Sequence, residues 1–396
     1  MTVAPTACAG PGAQDAIQLL QRAIQIDTVS ASGDEYALAG LLAGKLQEAG
    51  IASEIYDLGG RRANLVARID SGRPGPRVVL SGHLDTVPAG SVPWRHGPFE
   101  AVLEDGRMYG RGTVDMKSGL LALMLAFMRF ARRDPSSWRG ELVFAATSNE
   151  ETGAQGAREL VRQGLLPAFD GLIVGEPTDL RLVIAHKGAL WTRVCSCGRA
   201  SHSSMPDAGT NAIDKLFPFY ARLPELDLAA ADHELLSPPT LAVTQINGGK
   251  QPNVIPDRCD MTLDIRTLPG QSHEALAGRL RQLADEVMAA DQAGELRLET
   301  LLDVPAVATD PAADLVRAAR DVLAQAGVEG AEAGPRGAHY FTDASVLQAL
   351  GRNIIVLGPG EPRLAHQVDE HVLVDDYIRC IEIYDGILKK FLGGTL

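Results

Sequence analysis

Val78–Pro88 reads VVLSGHLDTVP. The run Val78–Leu80 is what a strand buried on both faces looks like, and Ser81-Gly82 leads out of it. His83 and Asp85 then stand two apart, and Pro88 ends the stretch. An imidazole and a carboxylate delivered at the end of a buried strand need something to meet. Other stretches supply it. YGRGTVD (109–115) ends in Asp115, ELVFAATSNEE (141–151) ends in Glu150 and Glu151, and GLIVGEPT (171–178) carries Glu176 just past its apolar run. IIVLGPG (354–360) leads through a loop to His366. Helical segments alternate with these runs, and such alternation builds a mostly parallel sheet covered by helices on both faces. The fold class read here is α/β.

The chain has 396 residues, too many for one ordinary core. Past residue 181 the pattern changes. LVIAHKGALWTRVCSCG (182–198) reads as one long strand, and NAIDKLFPFYARL (211–223) as a helix. Two strands follow, TLAVTQINGG and DRCDMTLDIRTLPG, then the helix HEALAGRLRQLADEVMAA and the strand LRLETLLDV. This βαββαβ order is a complete small α+β domain. The α/β pattern resumes near residue 307. The expected division is therefore 1–181, 182–306 and 307–396, one α/β domain interrupted by an inserted α+β domain.

Composition narrows the function. The net charge of −13 makes nucleic acid or an anionic membrane a poor partner. The five cysteines are scattered, which suits a reducing cytoplasm better than a disulfide framework. Cys195 and Cys197 share one face of a strand without forming CxxC, and read as packing residues. MTVAPTACAGPGAQD at the start, which includes Cys8, has neither the basic nor the apolar region of a signal peptide. The longest apolar run, Gly119–Phe130, is too short to span a bilayer and reads as a buried helix. HExxH, GxSxG and P-loop patterns are missing, and GRGTVD lacks the last glycine of GxGxxG.

Taken singly, each strand-end acid or histidine has an ordinary reading, as a helix cap or a solvated loop residue. Together they fall at the edge of an α/β sheet where ligands bind. Carboxylates gathered there repel one another unless a cation is present. Imidazoles and carboxylates suit zinc or similar metals, and one carboxylate can bridge two ions.

In order along the chain, SGHLDTVP, GRGTVDMKSG, TSNEETGAQG, VGEPT and AHQVDEH resemble the successive motifs of the M20 family of metallopeptidases and deacylases, which includes acetylornithine deacetylases, succinyl-diaminopimelate desuccinylases and glutamate carboxypeptidases. The resemblance extends through the inserted domain. It implies two Zn²⁺, with Co²⁺ or Mn²⁺ as possible substitutes: His83, Asp115 and Glu176 on one, and Asp115, Glu151 and His366 on the other. It implies that Asp85 accepts a hydrogen bond from His83 and that Glu150 is the general base. It makes the inserted domain a dimerisation and lid domain, whose His202 (in GRASHSSMPDAGTNAI) stabilises the oxyanion across a homodimer. Asn253 and Arg266 become substrate-binding residues, Arg266 as a clamp on a carboxylate; the alternative for Arg266 is a salt bridge to Asp264. The implied substrate is an N-acyl amino acid, N-acetyl in particular. AHKGALW is similar to the text of acetylornithine deacetylases, whereas desuccinylases carry an arginine pair where His186-Lys187 stand here. Thr342-Asp343 departs from the Thr-Glu of the acetylornithine deacetylases and suggests a different side chain in the pocket. The other readings are a dipeptidase or carboxypeptidase, a desuccinylase, and a non-catalytic binding protein on the same fold.

Overall fold

The structure is a computed structural model that describes residues 12–30, 32–228, 230–290 and 294–393. Cys8 and the stretch read for a signal peptide lie largely outside the described residues. The chain divides into two compact units. The first is Met1–Ala185 with Ala308–Gly337 and Thr342–Leu396, and the second is His186–Val307 with Ala338–Phe341.

The large sheet of the first unit runs in the order Ser53–Gly59, Arg62–Asp70, Glu141–Thr147, Arg77–His83, Gly171–Val174, Ile354–Val356, Val183–His186 and Val307–Ala308. Its centre is parallel. Its flanks are antiparallel. The strand Arg77–His83 lies in this centre and is buried from Val78 onward, which is why its text shows no alternation. The features not anticipated include the edge strand Ser53–Gly59 and a small sheet of His371–Leu373, Arg107–Tyr109 and Val102–Glu104. Among the described residues no helix is long and apolar enough to cross a membrane.

The apolar run at Gly119 is indeed a buried helix, Lys117–Ala131. It packs on the strand Arg77–His83 and against the helix Val374–Leu392. Its first turn comes so close to the sheet that a Cβ on Gly119 would lie 1.8 Å from the carbonyl oxygen of Gly175. That approach brings Asp115, just before the helix, to the strand end that carries Glu176.

The second unit holds four antiparallel strands, ordered Thr240–Gly248, Arg258–Thr267, Gly188–Cys197 and Glu295–Val304. The helices Ala212–Arg222 and His273–Ala290 cover one face, around a core that includes Leu190, Val194, Phe219, Met261, Leu263 and Leu280. Burial alternates along Arg258–Thr267, as expected of a sheet with one covered face. The stretch expected as one strand over 182–198 is in fact two. Val183–His186 pairs in the large sheet and Gly188–Cys197 in the small one. The break falls beside Gly188, where a Cβ would come within 2.5 Å of the Ala306 amide nitrogen and of Thr267 Oγ1. Apolar β-formers on both sides of Lys187 hide this break in the sequence, and the first compact unit runs through Ala185.

Gly119→Ala should destabilise the protein by about 1–3 kcal/mol, the usual cost of forcing a methyl into a packed site. Gly44, in the helix Glu35–Glu48, has nothing within 4 Å of an added Cβ. Gly44→Ala should therefore be neutral or stabilising by up to about 1 kcal/mol. Urea unfolding of both variants checks the contrast.

Candidate metal centre

The parallel strands bring their C-terminal ends level. His83 is in register with Thr147, Ser81 with Val174, and Val174 with Val356. The side chains that follow those ends therefore converge. His83 Nε2 lies 3.0 Å from Asp115 Oδ1 and 3.7 Å from Glu176 Oε1. His366 Nε2 lies 3.2 Å from Asp115 Oδ2 and 3.1 Å from Glu151 Oε1. Two groups that could each hold a metal ion result, the triads His83/Asp115/Glu176 and Asp115/Glu151/His366, each with its donor atoms within 4.8 Å of one another. Asp115 belongs to both and offers one oxygen to each histidine.

Backbone geometry shapes the rim. Asn149 (φ 56°) and His366 (φ 63°) adopt left-handed conformations that residues other than glycine rarely use. Such conformations gather at functional sites.

The electrostatics are those of a site short of positive charge. Burial pushes the Glu150 and Glu176 carboxyls well above their ordinary range, and neighbouring carboxylates push them further. Glu151 is raised in the same way. Burial would raise Asp115 too, but hydrogen bonds from His366 and His83 hold it below its ordinary range. His366 is raised to about 10 by its bonds to Asp115 and Glu151. Protons on the imidazoles thus stand where cations would neutralise the carboxylates. Neutral imidazoles and carboxylates are what a borderline divalent ion requires, so the residues present fit a pair of such ions sharing Asp115.

Asp85 differs from expectation. His83 Nδ1 lies 2.9 Å from the Asp85 backbone carbonyl and 3.5 Å from its carboxylate. The carboxylate instead accepts from the backbone N–H groups of Glu150 (2.9 Å) and Glu151 (3.2 Å) and from Ser30 Oγ (2.9 Å). Asp85 therefore orients His83 through its main chain and fastens the Glu150-Glu151 turn through its side chain. Glu150 is 5% exposed, and its Oε1 has no hydrogen-bond partner.

Residues 79–390 match the peptidase family M20/M25/M40. The chain belongs to this family. A probable succinyl-diaminopimelate desuccinylase of Staphylococcus aureus (strain MSSA476) is 32% identical, over 96% of this chain and 98% of the relative. An acetylornithine deacetylase of Myxococcus xanthus is 34% identical, over 88% of this chain and 90% of the relative. Among solved structures, the M20 family metallo-carboxypeptidase Sso-CP2 from Sulfolobus solfataricus shares the fold with TM-score 0.79 at 17% identity, over 95% of this chain and 99% of that one. Human carnosine dipeptidase 1 does so with TM-score 0.71 at 17% identity, over 96% and 97% of the two chains. The protein is thus an M20 metal-dependent hydrolase of the peptidase and deacylase kind.

The M20 site rests on a residue that sequence reasoning missed. Glu370 is fully buried and binds Arg111 at 2.5 Å, itself 2% exposed. Its other oxygen accepts from the backbone N–H groups of Val114 (2.8 Å) and Asp115 (3.1 Å). Arg111 also donates to the carbonyls of Pro88 and Gln367 and lies over the Trp94 ring. One buried ion pair therefore ties three of the site's loops together. Glu370 sits inside the AHQVDEH motif, but its type alone does not separate a buried anchor from a solvated acid.

His202, Asn253 and Arg266 lie in the second unit. His202 is exposed and pairs with Val254 in a short ladder, which places it beside Asn253, whose carbonyl accepts from Ser203 N–H at 3.0 Å. Arg266 is held by Asp264 at 2.9 Å, the salt bridge weighed as the alternative to a clamp, and its guanidinium lies 5.9 Å from the centre of the Phe341 ring. Asp343, expected near a substrate side chain, lies in the first unit, is 1% exposed and accepts a hydrogen bond from Thr147 Oγ1. Burial raises its carboxyl to about 6.

Glu370→Ala should cost about 3–5 kcal/mol, because it leaves Arg111 buried without its partner. It should also weaken metal binding roughly 10–100-fold, since Asp115 loses an outer support. Glu361→Ala, which breaks an exposed pair with Arg363, should cost less than about 1 kcal/mol. Urea unfolding and metal titration of the two variants test the contrast.

Proposed function

We propose that the chain is a dinuclear zinc amidohydrolase that removes an N-acyl group, N-acetyl in particular, from an amino acid, with Co²⁺ or Mn²⁺ able to replace zinc. The observation that carries this reading is the pair of ligand triads sharing Asp115, with the partnerless carboxyl oxygen of Glu150 buried beside them. His83, Asp115 and Glu176 would hold one ion, and Asp115, Glu151 and His366 the other. When bound, such ions polarise an amide carbonyl and lower the pKa of water. Glu150 takes the proton of the attacking water and returns it to the leaving nitrogen. Asp85 keeps that carboxylate in place through the backbone of its turn.

His202 supplies the oxyanion donor in this proposal. Its Nδ1 accepts the backbone N–H of Ser204 at 3.2 Å, so in the neutral ring the proton sits on Nε2. An Nε2–H donor is what a developing oxyanion needs. The second unit is proposed to form the homodimer that brings this histidine to a neighbouring site, with Asn253 and Arg266 contacting substrate.

His186-Lys187, standing where desuccinylases carry an arginine pair, favours an uncharged acyl group over succinyl. Lys187 is 3% exposed, and its ammonium donates to the Pro238 carbonyl at 2.6 Å. Arg266 is already paired with Asp264. Peptide substrates form the second reading, supported by the solved relatives named as a carboxypeptidase and a dipeptidase.

A screen of N-acetyl, N-formyl and N-succinyl amino acids and of dipeptides tests the assignment; kcat/KM should be highest for an N-acetyl amino acid, and preference for dipeptides would establish the second reading. Glu150→Gln should retain two metal ions per chain by elemental analysis and lose roughly 10²–10⁴-fold in turnover. Metal loss in that variant would reverse the roles of Glu150 and Glu151.

With one good substrate, His202→Ala should lower kcat by about 10²–10³-fold with little change in KM, as removal of an oxyanion donor does. Arg266→Ala should mainly raise KM. The opposite pattern in steady-state kinetics would remove both residues from these roles.

A further inference from the structure

The cysteines Cys195 and Cys197 do not pack in the core, as their sequence context suggested. They project from the face of the small sheet opposite its helices, both half-buried, with their sulfurs 3.6 Å apart. Their strand is paired on both sides here. Cys195 lies between Asp260 and Arg297, and Cys197 between Arg258 and Glu295. The two thiols therefore sit side by side on a backbone held by neighbours along both edges.

Two chemistries suit neighbouring thiols, and the geometry separates them. A disulfide would have to bring the sulfurs to about 2.05 Å, with Cα atoms in the range of roughly 4.4–6.8 Å. Residues two apart on an extended strand are separated by about 6.6 Å, at the upper end of that range. Closing the bond would pull on a strand fixed along both edges. Chelation needs no such contraction. Two Zn–S bonds of about 2.3 Å at the tetrahedral angle place their sulfurs about 3.8 Å apart.

We infer that Cys195 and Cys197 form a bidentate dithiol site for a thiophilic divalent cation of the zinc and cadmium class, separate from the histidine–carboxylate centre. The reaction exchanges two thiol protons, released to solvent, for one M²⁺ and forms two metal–sulfur bonds. Surrounding charge suits the exchange. Arg258 pairs with Asp260 (2.9 Å), Arg297 with Glu295 (2.6 Å) and Arg193 with Glu299 (3.0 Å), so the strip around the sulfurs is close to neutral before the cation arrives. The Cys195 thiol is pushed up to about 12 by burial and by its hydrogen bond to Asp260, so it is protonated without metal and its ligation must release a proton. The inference does not depend on the hydrolytic reading, because it concerns other residues and a different donor type.

The test uses the full chain with its histidine–carboxylate centre loaded and with Cys8→Ser, which removes the cysteine outside the described residues. Cys259 and Cys380 are 1% and 0% exposed and serve as internal non-reactive thiols. Titration with Cd²⁺ should add one equivalent, with a thiolate-to-cadmium charge-transfer absorption and proton release. Cys195→Ser and Cys197→Ser, made singly, should each abolish that absorption and weaken the added site more than about 100-fold, beyond the loss expected from an outer partner. Both variants should keep the activity of the parent, which shows that they fold. An added equivalent without the thiolate absorption, or an absorption that survives in either variant, would overturn the inference. So would rapid closure of the pair to an intramolecular disulfide, read as loss of two hydrogens by mass spectrometry, that bound Cd²⁺ fails to prevent.

Discussion

Parallel strands that end level are the constraint on which this hydrolase depends. Hydrogen bonding places His83 beside Thr147 and Val174 beside Val356, and every candidate metal ligand follows one of those ends or enters from a neighbouring loop. Shifting one strand by a single residue would turn every one of its side chains to the opposite face. It would also move His83 or the Glu150-Glu151 turn by more than 3 Å along the sheet, a distance comparable to the separations within each triad. The close approach of Gly119 to Gly175 adds the last ligand, because it lets the helix that follows Asp115 begin directly against the sheet.

The site assembled in this way holds more negative charge than a protein interior tolerates alone. Glu150, Glu151 and Glu176 are each raised by burial and by one another, and Asp115 stays ionised through both histidines. Crowded carboxylates of this kind repel one another, and a cation placed among them would relieve that repulsion. The buried Arg111–Glu370 pair holds the loops still while this balance is struck. Its Asp115 contact is to the backbone, so it sets position and leaves the Asp115 carboxylate to the two histidines.

The second unit obeys a simpler rule. It needs one covered sheet face, and its strands alternate accordingly. What the alternation leaves over is an opposite face with Trp191, Arg193, Cys195, Cys197, Asp260, Asp264 and Arg266, a set too polar for a core. Partnering within this face is extensive: Arg266 with Asp264, Arg258 with Asp260, and the two sulfurs with each other. Such residues are where an inserted domain can acquire chemistry without disturbing its fold.

Much of this was legible in the sequence. Strand-end acids and histidines, the βαββαβ insertion and the buried helix at Gly119 could be read because burial and hydrophobic period write directly into residue type. The two triads were named from motif order, and their convergence follows from strand register, which no local stretch contains. Three things only the tertiary structure decided. The division of 182–198 into two strands depends on which sheet each half pairs with, since the text is β-forming throughout. The role of the Asp85 side chain depends on where the Glu150-Glu151 backbone runs, 65 residues away. Glu370 is an anchor because Arg111, 259 residues earlier, is buried against it. In each case the sequence determines what a residue is able to do, and long-range packing selects which partner it does it with.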